Sequence, residues 1–376
     1  MEARKIPLET VVWFQEGPGV RNTQYTIEGV KLLNVANLVD GELDLSTSSR
    51  FISTEEAYGK YRHFLVDEGD FIIASSGIKV EYFEKKMGFV KKQQLPLCMN
   101  TSTIRFKILN PAEYDIRYFM YFLKSNAFKN QLSRQITGSA QLNFGPSHLR
   151  KMSVPATPIV EQRNIVAVLD KLTSIIKLSK KIISLLDQLV KSQFIEMFGD
   201  PIVNPKGWEI RTIGELYDVG SSKRVFESQW TKTGIPFYRA REIVKLSENG
   251  YVDNELFISA EMYEKYRNRY GVPKQGDIMV TGVGTIGVCY LVNHSNPFYF
   301  KDGNILWFRN KGAVNSLFML WCYKHPYIRQ QIEKQSSGST VGTYTIANAK
   351  STRTIFPPIE LQNQFAHFVE QTDKSK

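Results

Sequence analysis

Basic side chains gathered between predicted strands are the part of this sequence best suited to chemistry. A lysine meets a phosphate group as a point charge, whereas an arginine can donate two parallel hydrogen bonds to O6 and N7 of guanine. Any one of these side chains could equally be a solvated surface charge, but together they predict contacts with DNA. The candidates are Lys79, Lys85 and Lys86 in the first half of the chain, and Lys223, Arg224, Arg239, Arg241, Arg267 and Arg269 in the second.

Arg239 and Arg241 are the strongest candidates for reading bases. They lie two residues apart at the end of residues 234–243, an apolar run that predicts a strand. Side chains two apart on a strand share one face. The first half of the chain carries Asn34 and Ala36 at the matching positions, so the two halves are predicted to read different bases.

No motif for catalysis or for cofactor binding accompanies these basic residues. The segment GVGTIG at 282–287 fits a dinucleotide-binding pattern, but a strand-like run follows it where such a loop must open a helix, so a hairpin turn is predicted. The sequence has no phosphate-binding P-loop, and its histidines lack metal-ligand spacing. We expect no catalytic residue, no cofactor and no metal. Scattered carboxylates leave a stand-alone nuclease or methyltransferase fusion open as an alternative.

Composition sets the class of protein. The chain has 376 residues, which predicts two domains, and a net charge of +11, which favours a polyanion as partner. Its three cysteines form no CxxC pair, and no run of 18 apolar residues or signal sequence occurs. We expect a soluble cytoplasmic protein that does not enter a membrane. A helical-rod scaffold without a nucleic-acid role stays open as a second alternative.

A long helix is predicted to separate the two halves. No glycine or proline interrupts the sequence between Pro158 and Gly199, and apolar residues recur there every three or four positions. A helix of this length extends roughly 60 Å at about 1.5 Å per residue. Such an apolar stripe needs a partner helix or a partner protein. The residues predicted to bind a partner are Leu172, Ile176, Ile183, Leu186 and Val190.

Shorter elements surround this helix in both halves. Runs rich in β-branched residues predict strands, and apolar periodicity of three to four predicts helices. The first half contains predicted strands at 30–38, 70–75 and 103–109 and a helix at 113–135. The second half contains predicted strands at 234–243, 276–280, 288–292 and 304–308 and a helix at 316–335, broken near Pro326.

The two halves repeat one another at an offset near 200 residues. A period this long indicates duplicated domains. The matching pairs are Thr137-Gly138-Ser139 with Ser337-Gly338-Ser339, Gln162 with Gln362, Gly69-Asp70 with Gly276-Asp277, and Gly29 with Gly234. The predicted organisation is a domain at 1–157, a spacer helix at 158–199, a second domain at 200–357 and a second, short helix at 358–376.

Three of these segments together resemble one known family. They are the TGSAQLNF loop, the helix entries Pro158…Gln162 and Pro358…Gln362, and the FGDP-x-x-NPKGW junction at 198–208. In this combination they resemble a specificity subunit of a type I restriction–modification system, over essentially the whole chain.

The resemblance implies an α+β fold in which two duplicated, α/β-mixed target-recognition domains are separated by long antiparallel, coiled-coil-like helices. Each domain would read one half of an asymmetric, bipartite site on double-stranded DNA. The helices would dock methyltransferase subunits, two of them in the family, to which motor–nuclease subunits are added. The chain itself would be non-catalytic. Gln141 and Asn143 would then brace the domain, and the short second helix would be truncated relative to the family.

Overall fold

The computed structural model describes residues 4–135, 142–336 and 342–375. The chain divides into two compact units, Met1–Lys177 (unit 1) and Leu178–Lys376 (unit 2). The repeated segments 137–139 and 337–339, and also Gln141, lie outside the described residues. In the described part of the chain, no helix is both long and apolar enough to cross a bilayer.

Unit 1 consists mainly of short strands, because its β-branched and aromatic runs are interrupted by turn residues. Its strands are β1 (Lys5–Pro7), β2 (Val12–Glu16), β3 (Val30–Leu33), β4 (Leu38–Val39), β5 (Glu42–Leu43), β6 (Phe51–Ile52), β7 (Phe71–Ala74), β8 (Ser76–Ile78), β9 (Met87–Phe89), β10 (Leu97–Met99), β11 (Thr103–Ile108), β12 (Leu142–Asn143) and β13 (Ser153–Pro155). Its helices are α1 (Thr54–Tyr58), α2 (Ile116–Lys124), α3 (Asn126–Gln135), α4 (Pro146–Leu149) and the first part of α5 (Ile159–Phe198).

Unit 2 begins within α5 and repeats the same kinds of element. Its strands are β14 (Glu209–Thr212), β15 (Tyr217–Gly220), β16 (Ile235–Tyr238), β17 (Phe257–Ile258), β18 (Ile278–Thr281), β19 (Cys289–Leu291), β20 (Tyr299–Phe300), β21 (Ile305–Asn310) and β22 (Arg353–Phe356). Its helices are α6 (Ile213–Leu216), α7 (Ala240–Asn249), α8 (Ala260–Tyr270), α9 (Ser316–Lys324), α10 (Pro326–Ser336), α11 (Ile346–Ser351) and α12 (Ile359–Lys374).

The two largest sheets of each unit have the same topology. A four-stranded antiparallel sheet has the order β2-β11-β7-β9 in unit 1 and β15-β21-β18-β19 in unit 2. A three-stranded sheet has the order β10-β3-β6 in unit 1 and β17-β16-β20 in unit 2. Each three-stranded sheet contains one parallel pair, β3 with β10 and β16 with β20. The predicted α+β fold with a duplicated domain is confirmed.

Two buried glutamines show how closely the scaffold repeats. The side chain of Gln162 accepts the N–H of Asp115 at 2.9 Å, and that of Gln362 accepts the N–H of Asn315 at 2.9 Å. Asp115 and Asn315 are the N-caps of α2 and α9, so the two glutamines tie the start of α5 to that of α2 and the start of α12 to that of α9. Their matching position in the two copies was predicted from the sequence.

Two predicted elements are divided differently in the structure. The helix predicted at 113–135 breaks at Ser125 into α2 and α3, whereas the helix at 316–335 breaks before Pro326 as predicted. The strand predicted at 30–38 stops at Leu33, because the backbone N–H of Asn34, the N-cap of a 3-10 turn, donates to Oδ1 of Asn37 at 2.9 Å. These breaks follow local side-chain hydrogen bonds that compete with the regular ladder.

The strand predicted at 234–243 is wrong beyond Tyr238. Arg239 is an N-cap, and helix α7 begins at Ala240. The carboxylate of Glu242 accepts the backbone N–H of Arg239 at 2.9 Å, which satisfies a free donor at the helix start. Ile243 and Leu246 then bury one face of the helix at helical spacing.

Helix α5 confirms the predicted long helix, and its two ends are covered by different cores. Val166 packs into the core of unit 1, while Val190, Phe194 and Phe198 pack into that of unit 2. Between these ends, all of residues 171–185 are exposed. The middle of the helix therefore presents its apolar side chains to solvent.

Candidate nucleic-acid interface

A cluster of cations around Tyr270 brings together basic residues that are distant in the sequence. The ammonium group of Lys223 lies 5.9 Å from the ring centroid of Tyr270, and the guanidinium of Arg269 lies 5.3 Å from it. Tyr266 precedes Tyr270 by one helical turn of α8, and their ring centroids are 5.7 Å apart. The Tyr266 hydroxyl donates to the backbone oxygen of Arg224 at 3.1 Å, which fixes this loop against the helix.

Two other predicted arginines in unit 2 form ion pairs. Nε of Arg224 lies 2.9 Å from Oδ2 of Asp302, and Nη1 of Arg267 lies 3.1 Å from Oε1 of Glu264. Both arginine side chains are more than half exposed, at 67% and 58%. Exposed pairs of this kind contribute little to stability, about 0–1 kcal/mol. A phosphate group can therefore replace Glu264 at small cost, whereas Asp302 is only 18% exposed and is harder to displace.

Arg239 and Arg241 do not share the face of a strand, which corrects the geometry predicted for them. Both side chains donate to Glu242, and Arg241 also donates to Glu255. Burial raises the pKa of Glu242, but hydrogen bonds from Arg239 and Arg241 outweigh that effect and leave the pKa lowered. Arg241 is half exposed and Arg239 less so, so Arg241 is the better placed of the two to reach a ligand.

The predicted lysines of unit 1 surround a short 3-10 segment, residues 80–85. Lys79 and Lys85 are exposed, and the Lys85 ammonium lies 5.8 Å from the ring centroid of exposed Tyr82 and 3.9 Å from Asp40. Lys86 is half-buried, and its ammonium donates to the backbone oxygen of Leu38 at 2.8 Å. A DNA contact by Lys86 would require that hydrogen bond to break.

Two cation–aromatic pairs were missed by sequence reasoning. In unit 1 the guanidinium of Arg50 lies 5.3 Å from the ring centroid of Tyr25, and in unit 2 the ammonium of Lys301 lies 5.9 Å from that of Trp230. Tyr25 and Trp230 both follow a one-turn 3-10 segment. Tyr25 and Trp230 are 205 residues apart, as are Gly29 and Gly234. This shared offset was the sequence signal that could have identified the two aromatic residues as equivalent.

Residues 282–287 form a hairpin turn, as predicted, and do not open a helix. They connect β18 and β19, which pair antiparallel with Val280 opposite Cys289. The three cysteines are free and buried, and burial raises the pKa of Cys98 and of Cys322 to about 12. Their thiols stay protonated at neutral pH and are poor nucleophiles.

The partner-binding residues predicted on α5 differ in accessibility. Leu172, Ile176 and Ile183 are 50%, 55% and 39% exposed. Leu186 is half-buried, whereas Val190 is fully buried in the core of unit 2 and is not available to a partner.

Sequence comparison agrees with the duplication. A sequence model of the type I restriction modification DNA specificity domain matches residues 26–188 and again 205–376. The chain belongs to this family. Each matched segment contains one three-stranded sheet with its parallel strand pair, and the second also contains the Tyr270 cluster.

Relatives of this specificity-domain protein carry corresponding names. A putative type I restriction enzyme specificity subunit of Haemophilus influenzae is 26% identical over 63% of this chain and 60% of its own length. The MjaIX specificity subunit of a type I restriction enzyme of Methanocaldococcus jannaschii is 21% identical over 84% of this chain and 78% of its own length. The chain thus spans about 60% of the length of the first of these relatives.

Solved structures of such subunits share the fold. The S subunit of a type I restriction–modification system from M. genitalium superposes with a TM-score of 0.60 at 15% identity, over the whole of this chain and 90% of that one. A structure described as explaining complex assembly and conformational transition of the type I system has a TM-score of 0.50 at 16% identity, over the whole of this chain and 91% of that one.

Proposed function

We propose that this chain is the DNA specificity subunit of a type I restriction–modification complex, with each unit reading one half of an asymmetric, bipartite site. The observation that carries the proposal is the repetition of the specificity domain on one scaffold with different exposed side chains. Equal scaffolds place the two reading surfaces in the same way within each unit. Different side chains on those surfaces select different half-sites.

The chain itself contributes recognition and assembly, and the chemistry belongs to its partners. The exposed apolar side chains of Leu172, Ile176 and Ile183 offer methyltransferase subunits a docking surface on α5. Apolar surface of this extent on a soluble protein commonly marks a binding site for another protein. Motor–nuclease subunits would join through the methyltransferases.

DNA binding should weaken steeply with salt, and the Tyr270 cluster should carry part of that dependence. Each neutralised phosphate contributes about 0.9 to the slope of log K against log salt. The double variant Lys223→Ala/Arg269→Ala should therefore reduce the slope by about 1.8 with duplexes of any sequence. Fluorescence anisotropy with a random-sequence duplex measures this slope.

The matched control removes two positive charges elsewhere in unit 2. Arg211 pairs with Glu209, and Lys311 donates to the backbone oxygen of Gly214, so neither is part of the Tyr270 cluster. Arg211→Ala/Lys311→Ala should leave the slope close to that of the unaltered chain. No binding of the duplex even at low salt would instead support a scaffold without a nucleic-acid role.

A further inference from the structure

The parallel strand pair of each unit ends at an equivalent place. In unit 1 the N–H of Asn100 donates to the backbone oxygen of Leu33 at 3.0 Å, directly after β10. In unit 2 the N–H of Lys301, directly after β20, donates to the backbone oxygen of Tyr238 at 2.8 Å. Asn100 and Lys301 therefore occupy the same position on the repeated scaffold.

The residue that follows the other strand of each pair is also equivalent. Asn34 and Arg239 are both N-caps, and each donates its backbone N–H at 2.9 Å to the side chain three residues later. That side chain is Asn37 in unit 1 and Glu242 in unit 2. We call these three positions the strand-end site: Asn34, Asn37 and Asn100 in unit 1, and Arg239, Glu242 and Lys301 in unit 2. The site also includes Ala36, between Asn34 and Asn37, and Arg241, between Arg239 and Glu242.

Side-chain chemistry changes completely at the strand-end site, although its backbone hydrogen bonds are kept. Unit 1 has neutral amides at all three positions, and unit 2 has an arginine, a glutamate and a lysine. The buried glutamine at the start of α5 and of α12 is by contrast the same in both units, as Gln162 and Gln362 show. A protein that reads two different half-sites with one fold must change side chains where the bases lie and keep them where the fold is held together.

In unit 1 the strand-end site opens into a cleft of about 480 Å³. The Nδ2 group of Asn100 donates to Oδ1 of Asn34 at 2.8 Å, and Nδ2 of Asn34 donates to the backbone oxygen of Leu32 at 2.9 Å. These bonds fix both amides in one orientation. Hydroxyl groups, including those of Ser48 and Ser102, complete the wall, and no carboxylate lines the cleft.

Arg50 is the charged group of this cleft. Its side chain is exposed, and its guanidinium lies over the ring of Tyr25, whose hydroxyl lies 3.4 Å from Nδ2 of Asn100. Across the residues that the structure describes, no carboxylate pairs with Arg50. A cation–π contact of this kind restrains the guanidinium over the ring while its N–H groups remain available.

This arrangement suits a base better than a phosphate. Phosphate sites gather several N–H donors or several positive charges around one point. The cleft instead has a single positive charge, carried by a guanidinium over an aromatic ring, and a wall of amides and hydroxyls. A planar guanidinium forks onto O6 and N7 of guanine, and Lys301 in unit 2 can approach the same two atoms.

We propose that each unit reads bases at its strand-end site. In unit 1 the reading residue is Arg50, which lines the cleft beside Asn34 and Asn100, and in unit 2 it is Lys301. The inference rests on the proposed function and specifies which residues of each unit determine its half-site.

The test is binding selection with the full chain on a library of duplexes with two randomised half-sites. Arg50→Ala should lower the preference for one base pair in one half-site by about ten-fold or more and leave the other half-site unchanged. Lys301→Ala should do the same in the opposite half-site. Arg50→Lys should also relax the selection, because lysine keeps the charge but loses the fork.

The controls separate base reading from general attraction. Arg62 is exposed and lies outside the cleft of unit 1, and Lys232 is exposed and is not a strand-end position of unit 2, so Arg62→Ala and Lys232→Ala should keep the selected motif. Equal loss of binding to every sequence in Arg50→Ala, with full recovery in Arg50→Lys, would identify a phosphate contact and overturn the proposal. An unchanged motif in both Arg50→Ala and Lys301→Ala would overturn it as well. If the unaltered chain selects no motif, the proposed function itself fails.

Discussion

Replacing Phe198 by alanine is expected to lower the free energy of unfolding of unit 2 by about 3–5 kcal/mol. Phe198 is fully buried, and its ring lies 4.9 Å from that of Phe318 and 5.5 Å from that of Phe365, centroid to centroid. It therefore joins α5 to both α9 and α12. Chemical denaturation of the variant and the unaltered chain measures the difference.

The control is Ile195→Ala on the same helix. Ile195 is 41% exposed, so its truncation should change the free energy of unfolding by less than about 1 kcal/mol. The loss in Phe198→Ala should be confined to unit 2, and recognition of one half-site should fail first. A variant that unfolds no more easily than Ile195→Ala would show that α5 does not depend on this aromatic cluster.

The second large effect concerns partner docking. Ile176→Asp and Ile183→Asp each place a charge on the exposed apolar side of α5, where a methyltransferase subunit is proposed to bind. Burying an unpaired carboxylate at an interface costs several kcal/mol, so each variant should lose co-purification with the partner. Both side chains are already exposed, so the fold of each unit should remain intact.

Ser184→Asp introduces the same charge on the lysine-bearing side of the same helix and should leave assembly unchanged. Ser184 is exposed, as are the neighbouring Lys180 and Lys181. Pull-down from cells that express both proteins, followed by thermal melting of the isolated chain, distinguishes lost docking from lost folding. Wild-type yield of the complex with Ile183→Asp would show that this face of α5 is not the interface.

The regular elements of this protein were predictable because their signals are local or repeated. The long helix follows from an uninterrupted apolar period between Pro158 and Gly199. The duplication could be predicted because glycines recur at matching positions in the two halves. Gly29 and Gly234 are one such pair, and both have positive φ angles, 126° and 129°. At each of these glycines a Cβ atom would lie within 2.5 Å of a backbone oxygen, so no other residue fits without a shift.

The reading surface was less predictable because it depends on contacts between distant segments. Arg50 reaches Tyr25 only because Thr26 pairs with Phe51, a contact that no sequence period indicates. The strand predicted through Arg241 is wrong because a glutamate three residues after Arg239 caps a helix there. That pattern, a polar residue followed by Glu at the third position, was present in the sequence but is weaker when the capping residue is arginine.

Single-molecule mapping of methylated bases, in cells that express this chain with its methyltransferase partner, tests the central claim most directly. The account predicts methylation within one bipartite motif whose two halves differ and are separated by a spacer of fixed length and no preferred sequence. Exchange of side chains in one strand-end site should then alter only one half of that motif. Methylation at a single continuous or palindromic motif, or none above background, would contradict the assignment of one half-site to each unit.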